Sequence, residues 1–188
     1  MDFSHYSDET VAMAVDLINT IDVVTGVDKL SSPADVAEFI HERRQGWCAP
    51  DWKPVERDLH EVRALRSRLR DVFNATDQRA AADILNGTLA DVVAMPRVSV
   101  HNDKPPHLHF EPEGGSPARW LGAITAMGLA VALIEGGLER FGVCGSTTCE
   151  DVFVDSSRNR SRSRCSNTCT TRDNVAAFRK RQQAVESN

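Results

Sequence analysis

Four of the five cysteines in this chain fall in its last quarter, as Cys144-x4-Cys149 and Cys165-x3-Cys169. Two short thiolate pairs are what a tetrahedral metal ion needs, because one tight turn can aim two sulfurs at an ion about 2.3 Å away. Two such turns close the coordination sphere, which marks a structural site and not a catalytic one with an open water position. The spacing therefore assigns Cys144, Cys149, Cys165 and Cys169 to one structural Zn2+ per chain. The competing readings are four reduced core cysteines or, in an oxidising compartment, two disulfides. Gly145-Ser146-Thr147-Thr148 and Ser166-Asn167-Thr168 speak against a core role, since small polar residues build knuckles and pack nothing. A segment of about 45 residues also holds too little apolar surface to fold without a staple.

Positive charge collects around these pairs. From Phe141 onward the chain carries +3, whereas the residues before it carry −8 of the total of −5. The cations are Arg158, Arg160, Arg162 and Arg164 between the pairs, and Arg172, Arg179, Lys180 and Arg181 after them. Between Ser156 and Gln182 only Asp173 is acidic. Val175, Ala177 and Phe178 give the last segment an apolar stripe at helical spacing, with the cations largely outward. An arginine loop beside a basic helix is suited to duplex DNA, the loop on the phosphate backbone and the helix docked against it. An acidic protein or a folded RNA would suit the same charges.

Other constellations are less specific. Asp16 and Asn19 stand three apart on a predicted helix, with Thr20 and Asp22 close behind. They could line a pocket for a small polar effector, or cap the helix and turn the chain. His107 and His109 share one face of a predicted strand, with Leu108 and Phe110 on the other; His101 precedes them. With no third ligand nearby, an exposed strand face is expected. Cys48 is a lone cysteine whose neighbours do nothing evident to lower its pKa, and a partly buried loop thiol is expected. Neither glycine-rich nucleotide loop occurs, nor a Gly-x-Ser-x-Gly elbow, nor His-Glu-x-x-His. An enzyme reading has no residues to name, and the expectation is a non-enzyme.

The elements that must position these residues are mostly helices. Val11, Ala14, Val15, Ile18 and Ile21 predict a helix over 10–22, and Ser32-Pro33 predicts an N-cap opening a helix through about Arg44. Leu59, Val62, Leu65, Leu69, Val72 and Phe73 form one face of the strongest helix, over 56–75, and a shorter one is expected over 78–89. Two strands around a turn are expected over 98–110, then a long apolar helix over 120–140 that is interrupted at Gly136-Gly137. The uncharged run from Trp120 to Ile134 is short for a bilayer crossing, so a buried helix is expected and no membrane partner. No export signal opens the chain, which points to a cytoplasmic, reducing compartment. The expected fold class is α+β: a mainly helical domain with a short β-hairpin over 1–140, and a small treble-clef-like four-cysteine finger over 141–188.

The segments Cys144–Asp155 and Ser157–Ser166, and the run from Cys169 through Arg172 to Arg181, resemble the CGNR zinc-finger proteins of bacteria. Those proteins share a Cys-x4-Cys knuckle, a following aromatic and Asp, an arginine-bearing loop, and a Cys-Gly-Asn-Arg signature that leads into a basic helix. This chain has Cys169-Thr170-Thr171-Arg172 at the signature, without Gly-Asn. Ala14-Val15-Asp16-Leu17-Ile18-Asn19-Thr20 resembles the opening of the ABATE domain that precedes such fingers. The resemblance implies a transcription regulator with a DNA-binding finger and an N-terminal domain that senses a ligand. A homodimer is expected, to gain affinity from two short basic elements. The alternatives are a zinc-stabilised protein- or RNA-interaction module, and a small-molecule binder whose finger serves as a dimer contact.

Overall fold

The computed structural model describes residues 4–43, 50–100, 106–110, 112 and 114–186; Cys48 and His101 lie outside them. Helix α1 (Ser4–Ile18) begins earlier than its apolar spacing suggests and buries Met13, Ala14, Leu17 and Ile18. Helix α2 (Pro33–Arg43) starts where proline costs no hydrogen bond. Its entry is fixed by Asp35, whose Oδ2 accepts the N–H groups of Ser31 and Ser32, each at 2.7 Å. Helix α3 (Glu56–Phe73) buries the whole predicted stripe and Arg66 besides. Helix α4 (Gln78–Asp91) is capped by Asp77, which accepts the Ala80 N–H at 2.8 Å.

Helix α5 (Pro117–Gly136) is the axis of the molecule, with α1, α3 and α4 packed against it. Its length and composition would allow a bilayer crossing, yet 67% of its most apolar stretch is buried inside the fold, as in a core helix. Gly128 permits the closest of these contacts, because a Cβ there would lie 2.9 Å from the backbone carbonyl carbon of Thr10 on α1. The helix stops at Gly137, whose φ of 78° favours glycine, and a 3-10 turn (Leu138–Arg140) follows.

The strands form two hairpins. β1 (Arg97–Ser99) pairs antiparallel with β2 (His107–His109), Val98 facing Leu108. The expected exposed histidine face is corrected at His109, which is 5% exposed. The strand turns that side chain inward beside the buried Phe110, leaving Val98 on the partner strand in solvent. β3 (Phe141–Val143) pairs with β4 (Val152–Val154), Phe141 facing Val154 and Val143 facing Val152. The final helix, α6 (Asn167–Glu186), is largely exposed, and its Val175 and Phe178 stripe is left about half in solvent.

The change of composition at Phe141 is not a break in packing. Phe141 and Val152 belong to the same hydrophobic core as the helices, and Phe141 meets Phe73 of α3 at 5.2 Å between ring centroids. The turn after α1 is pinned to the body as well. Ile21 bridges to Asp28, and the nearly buried Arg66 grips that carboxylate with two N–H···O bonds of 2.6 and 2.8 Å. The Arg66 bond is the main reason the Asp28 carboxyl lies below its ordinary value.

Candidate metal centre

The first cysteine pair sits at the tip of the β3–β4 hairpin. The Cys144 N–H donates to Asp151 O at 2.8 Å, extending the ladder one step past the strands. Residues 146–149 then turn, with Ser146 and Cys149 bridged across the tip. The Asp151 backbone N–H donates to the Cys149 sulfur, the bond that aims a knuckle thiolate inward. The second pair frames the start of α6. Ser166 is its cap, with Oγ accepting the Cys169 N–H at 3.3 Å, so Cys165 lies just before the helix and Cys169 in its first turn. A hairpin knuckle facing a helix N-terminus is the treble-clef arrangement expected from the sequence.

All four sulfurs lie within 4.8 Å of one another, with Cys149–Cys165 and Cys165–Cys169 both at 3.6 Å. A tetrahedron with metal–sulfur bonds of about 2.3 Å has sulfur–sulfur edges of roughly 3.8 Å, whereas bonded sulfurs would be about 2.05 Å apart. The spacing fits one structural zinc and no disulfide. Burial pushes the Cys149 thiol up to about 11, and burial also raises Cys165. Burial raises Cys169 too, but hydrogen bonds from Ser166 and the neighbouring thiols outweigh it and leave that thiol below its ordinary value. Thiols held protonated at neutral pH must give up those protons to the metal, which couples zinc binding to folding of the segment.

Two family models match the chain. One, ABATE, described as "Putative stress-induced transcription regulator", covers residues 12–137; the other, the CGNR zinc finger, covers 140–182. The chain belongs to the ABATE family. No curated protein matches it. The ABATE domain and the CGNR finger together make a regulator-type protein with a zinc-binding module, and neither is an enzyme family. Thr170 and Thr171, which replace the signature Gly-Asn, are exposed, and the Thr170 hydroxyl donates to Ser166 O at 3.2 Å. The four sulfurs still come together, so the departure leaves the four ligands in place.

The eight basic residues divide into two groups. Arg160 pairs with Glu139, and Arg162 lies 5.0 Å over the Phe153 ring while its Nε donates to Arg164 O at 2.9 Å. Arg164 binds Asp173 at 2.5 Å, and Asp173 also accepts the Ser146 hydroxyl at 2.7 Å. Arg172 turns back onto Cys169. These four are tied into the finger. Arg158, Arg179, Lys180 and Arg181 are exposed and have no hydrogen-bond or ion-pair partner among the described residues.

Asp155 holds the arginine loop at both ends and is a residue that charge counting passes over. It is 3% exposed, and its carboxylate accepts the Ser157 N–H at 2.7 Å and the Arg162 N–H at 2.9 Å. The Ser157 side chain is the largest of the hydrogen bonds that lower its carboxyl pKa.

Asn19 joins the ABATE domain to the finger. Its Nδ2 donates to Val152 O at 2.9 Å and its Oδ1 accepts the Val152 N–H at 2.8 Å, so a side-chain amide takes the place of a neighbouring strand on β4. Arg70 adds a bond to Glu150 O at 2.6 Å. Asp16, the other residue of the expected effector pair, is exposed and paired with Arg43 at 3.0 Å. Both residues stand in the wall of a cleft of about 790 Å³ between α1, the end of α5 and the open edge of β4. Spacing on one helix reveals neither role, because the partners lie on distant parts of the chain.

Proposed function

We propose that this protein is a DNA-binding transcriptional regulator in which the zinc-organised finger contacts the phosphate backbone and the ABATE domain senses a small effector. The observation that carries the reading is a set of four exposed cations of the finger with no partner among the described residues: Arg158 on the loop, and Arg179, Lys180 and Arg181 on the projecting α6. Arg160, Arg162, Arg164 and Arg172 then act mainly by shaping the finger that presents them. With the net negative charge in the body and a net charge of +3 from Phe141 onward, the long-range field favours approach of duplex DNA from the finger side. A homodimer pairing two α6 helices would supply two such footprints.

Fluorescence anisotropy of the zinc-loaded protein on short duplex DNA tests this. Binding at 50 mM salt should weaken steeply as salt rises, since each neutralised phosphate contributes about −0.9 to the slope of log K against log salt. Changing Arg179, Lys180 and Arg181 together to alanine should flatten that slope by about 2.7. Absence of duplex binding at low salt, with capture of a folded RNA or an acidic protein instead, would replace this function with the interaction-module reading.

Effector sensing is supported by the cleft. One wall is α1, with Val11 and Val15; the other is β4, whose Val152 edge is closed by Asn19. The strand register leaves the Val154 N–H and C=O pointing away from β3, unpaired among the described residues. A ligand with an amide-like edge and an apolar body would match that wall, and Cys165 and Ser166 at its rim would carry the response into the finger. A thermal-shift screen of lactams and short capped peptides, followed through the Val154 amide resonance, tests it.

A further inference from the structure

Arg172 is three residues after Cys169 on α6, and helical side chains lean toward the N-terminus, so its head returns over the preceding turn. There its Nη2 donates to the Cys169 sulfur at 3.0 Å. Among the described residues it is the only charged donor on any of the four sulfurs. Four thiolates around one Zn2+ leave a net charge of −2, and Cys144 and Cys169 are only 5% and 4% exposed. A guanidinium at that point offsets charge that solvent cannot reach. Two carboxylates add to its commitment. Asp22, lowered first by its bond from the Thr25 N–H, and Asp173, lowered first by the Ser146 hydroxyl, both also feel the Arg172 charge.

We propose that Arg172 is a positioning residue of the zinc centre, one that fixes the Cys169 thiolate and sets how long zinc is retained. The proposal concerns zinc retention and does not depend on DNA binding. The full-length protein is loaded with zinc, and release to excess chelator is followed with a colorimetric zinc indicator for wild type, R172A, R172Q and R172K, with R179A as control. Outer partners of metal ligands are worth about 10- to 100-fold in affinity. R172A and R172Q should release zinc at least 10-fold faster, R172K should recover part of the loss, and R179A should match wild type. In the cobalt-loaded proteins the sulfur-to-cobalt charge-transfer band should move in R172A and stay put in R179A. Zinc release from R172A within twofold of wild type, or equal acceleration by R179A, overturns the proposal. If R172A fails to fold, R172K and R172Q decide by the same criteria.

Discussion

Replacing Asn19 with alanine removes both halves of the amide that closes the β4 edge. Val152 is fully buried, so its N–H and C=O, now bonded at 2.8 and 2.9 Å, would lose their partners where water enters only from the cleft side. An orphaned buried polar group costs about 1–3 kcal/mol. Two such groups with partial access to water give a loss of about 2–4 kcal/mol for N19A. In a protein of 188 residues each kcal/mol moves the melting temperature by about 2–4 °C, so N19A should melt about 4–16 °C lower. Asn19→Asp keeps the acceptor for the Val152 N–H and loses the donor to its carbonyl, and should fall between the two. Thermal melts by circular dichroism measure the shift, and hydrogen exchange at the Val152 amide localises it. An N19A protein within about 0.5 kcal/mol of wild type, with the Val152 amide still protected, would refute the account of Asn19 as the latch between domain and finger.

Zinc removal should unfold the knuckles and α6 while the helices of the body stay folded but melt at a lower temperature, because Phe141 and Val152 leave their core. Circular dichroism should show a partial helical loss, and a thiol reagent should find four more reactive cysteines than in the loaded protein. Asp28→Asn should cost about 3–5 kcal/mol in urea unfolding at pH 7, since it leaves the Arg66 guanidinium buried beside a neutral amide. The same variant should flatten the acid limb. The folded Asp28 carboxyl lies below its unfolded value, so its stabilisation is complete above about pH 4 and lost as pH falls further. Urea midpoints between pH 7 and pH 3 should therefore fall more for wild type than for D28N.

Much of the architecture was legible because it rests on local rules. The stripe of α3, the Ser32-Pro33 entry to α2 and the paired cysteines each state their role within a dozen residues. Strand β3 was not anticipated, since three residues become a strand only when β4 pairs with them across the knuckle. His109 was expected in solvent because alternation gives the two faces of a strand but not which one meets the core. In the sequence the eight cations form one group, because charge is visible there and its partners are not. Asp155, Glu139, Asp173 and the ligand Cys169 hold four of them, through contacts that depend on how the loop folds back.

The clasp between Asn19 and Val152 also dictates an order of events during synthesis. Its halves are 133 positions apart, so at about 5–20 residues per second Asn19 waits roughly 7–27 s for its partner to be translated. Throughout that interval Phe73 has no Phe141 against it, and the end of α1 offers a bare amide with no strand to hold. A nascent or truncated chain is therefore sticky on that face until the hairpin arrives. The β3–β4 hairpin, besides carrying a zinc knuckle, completes the core of the domain that precedes it.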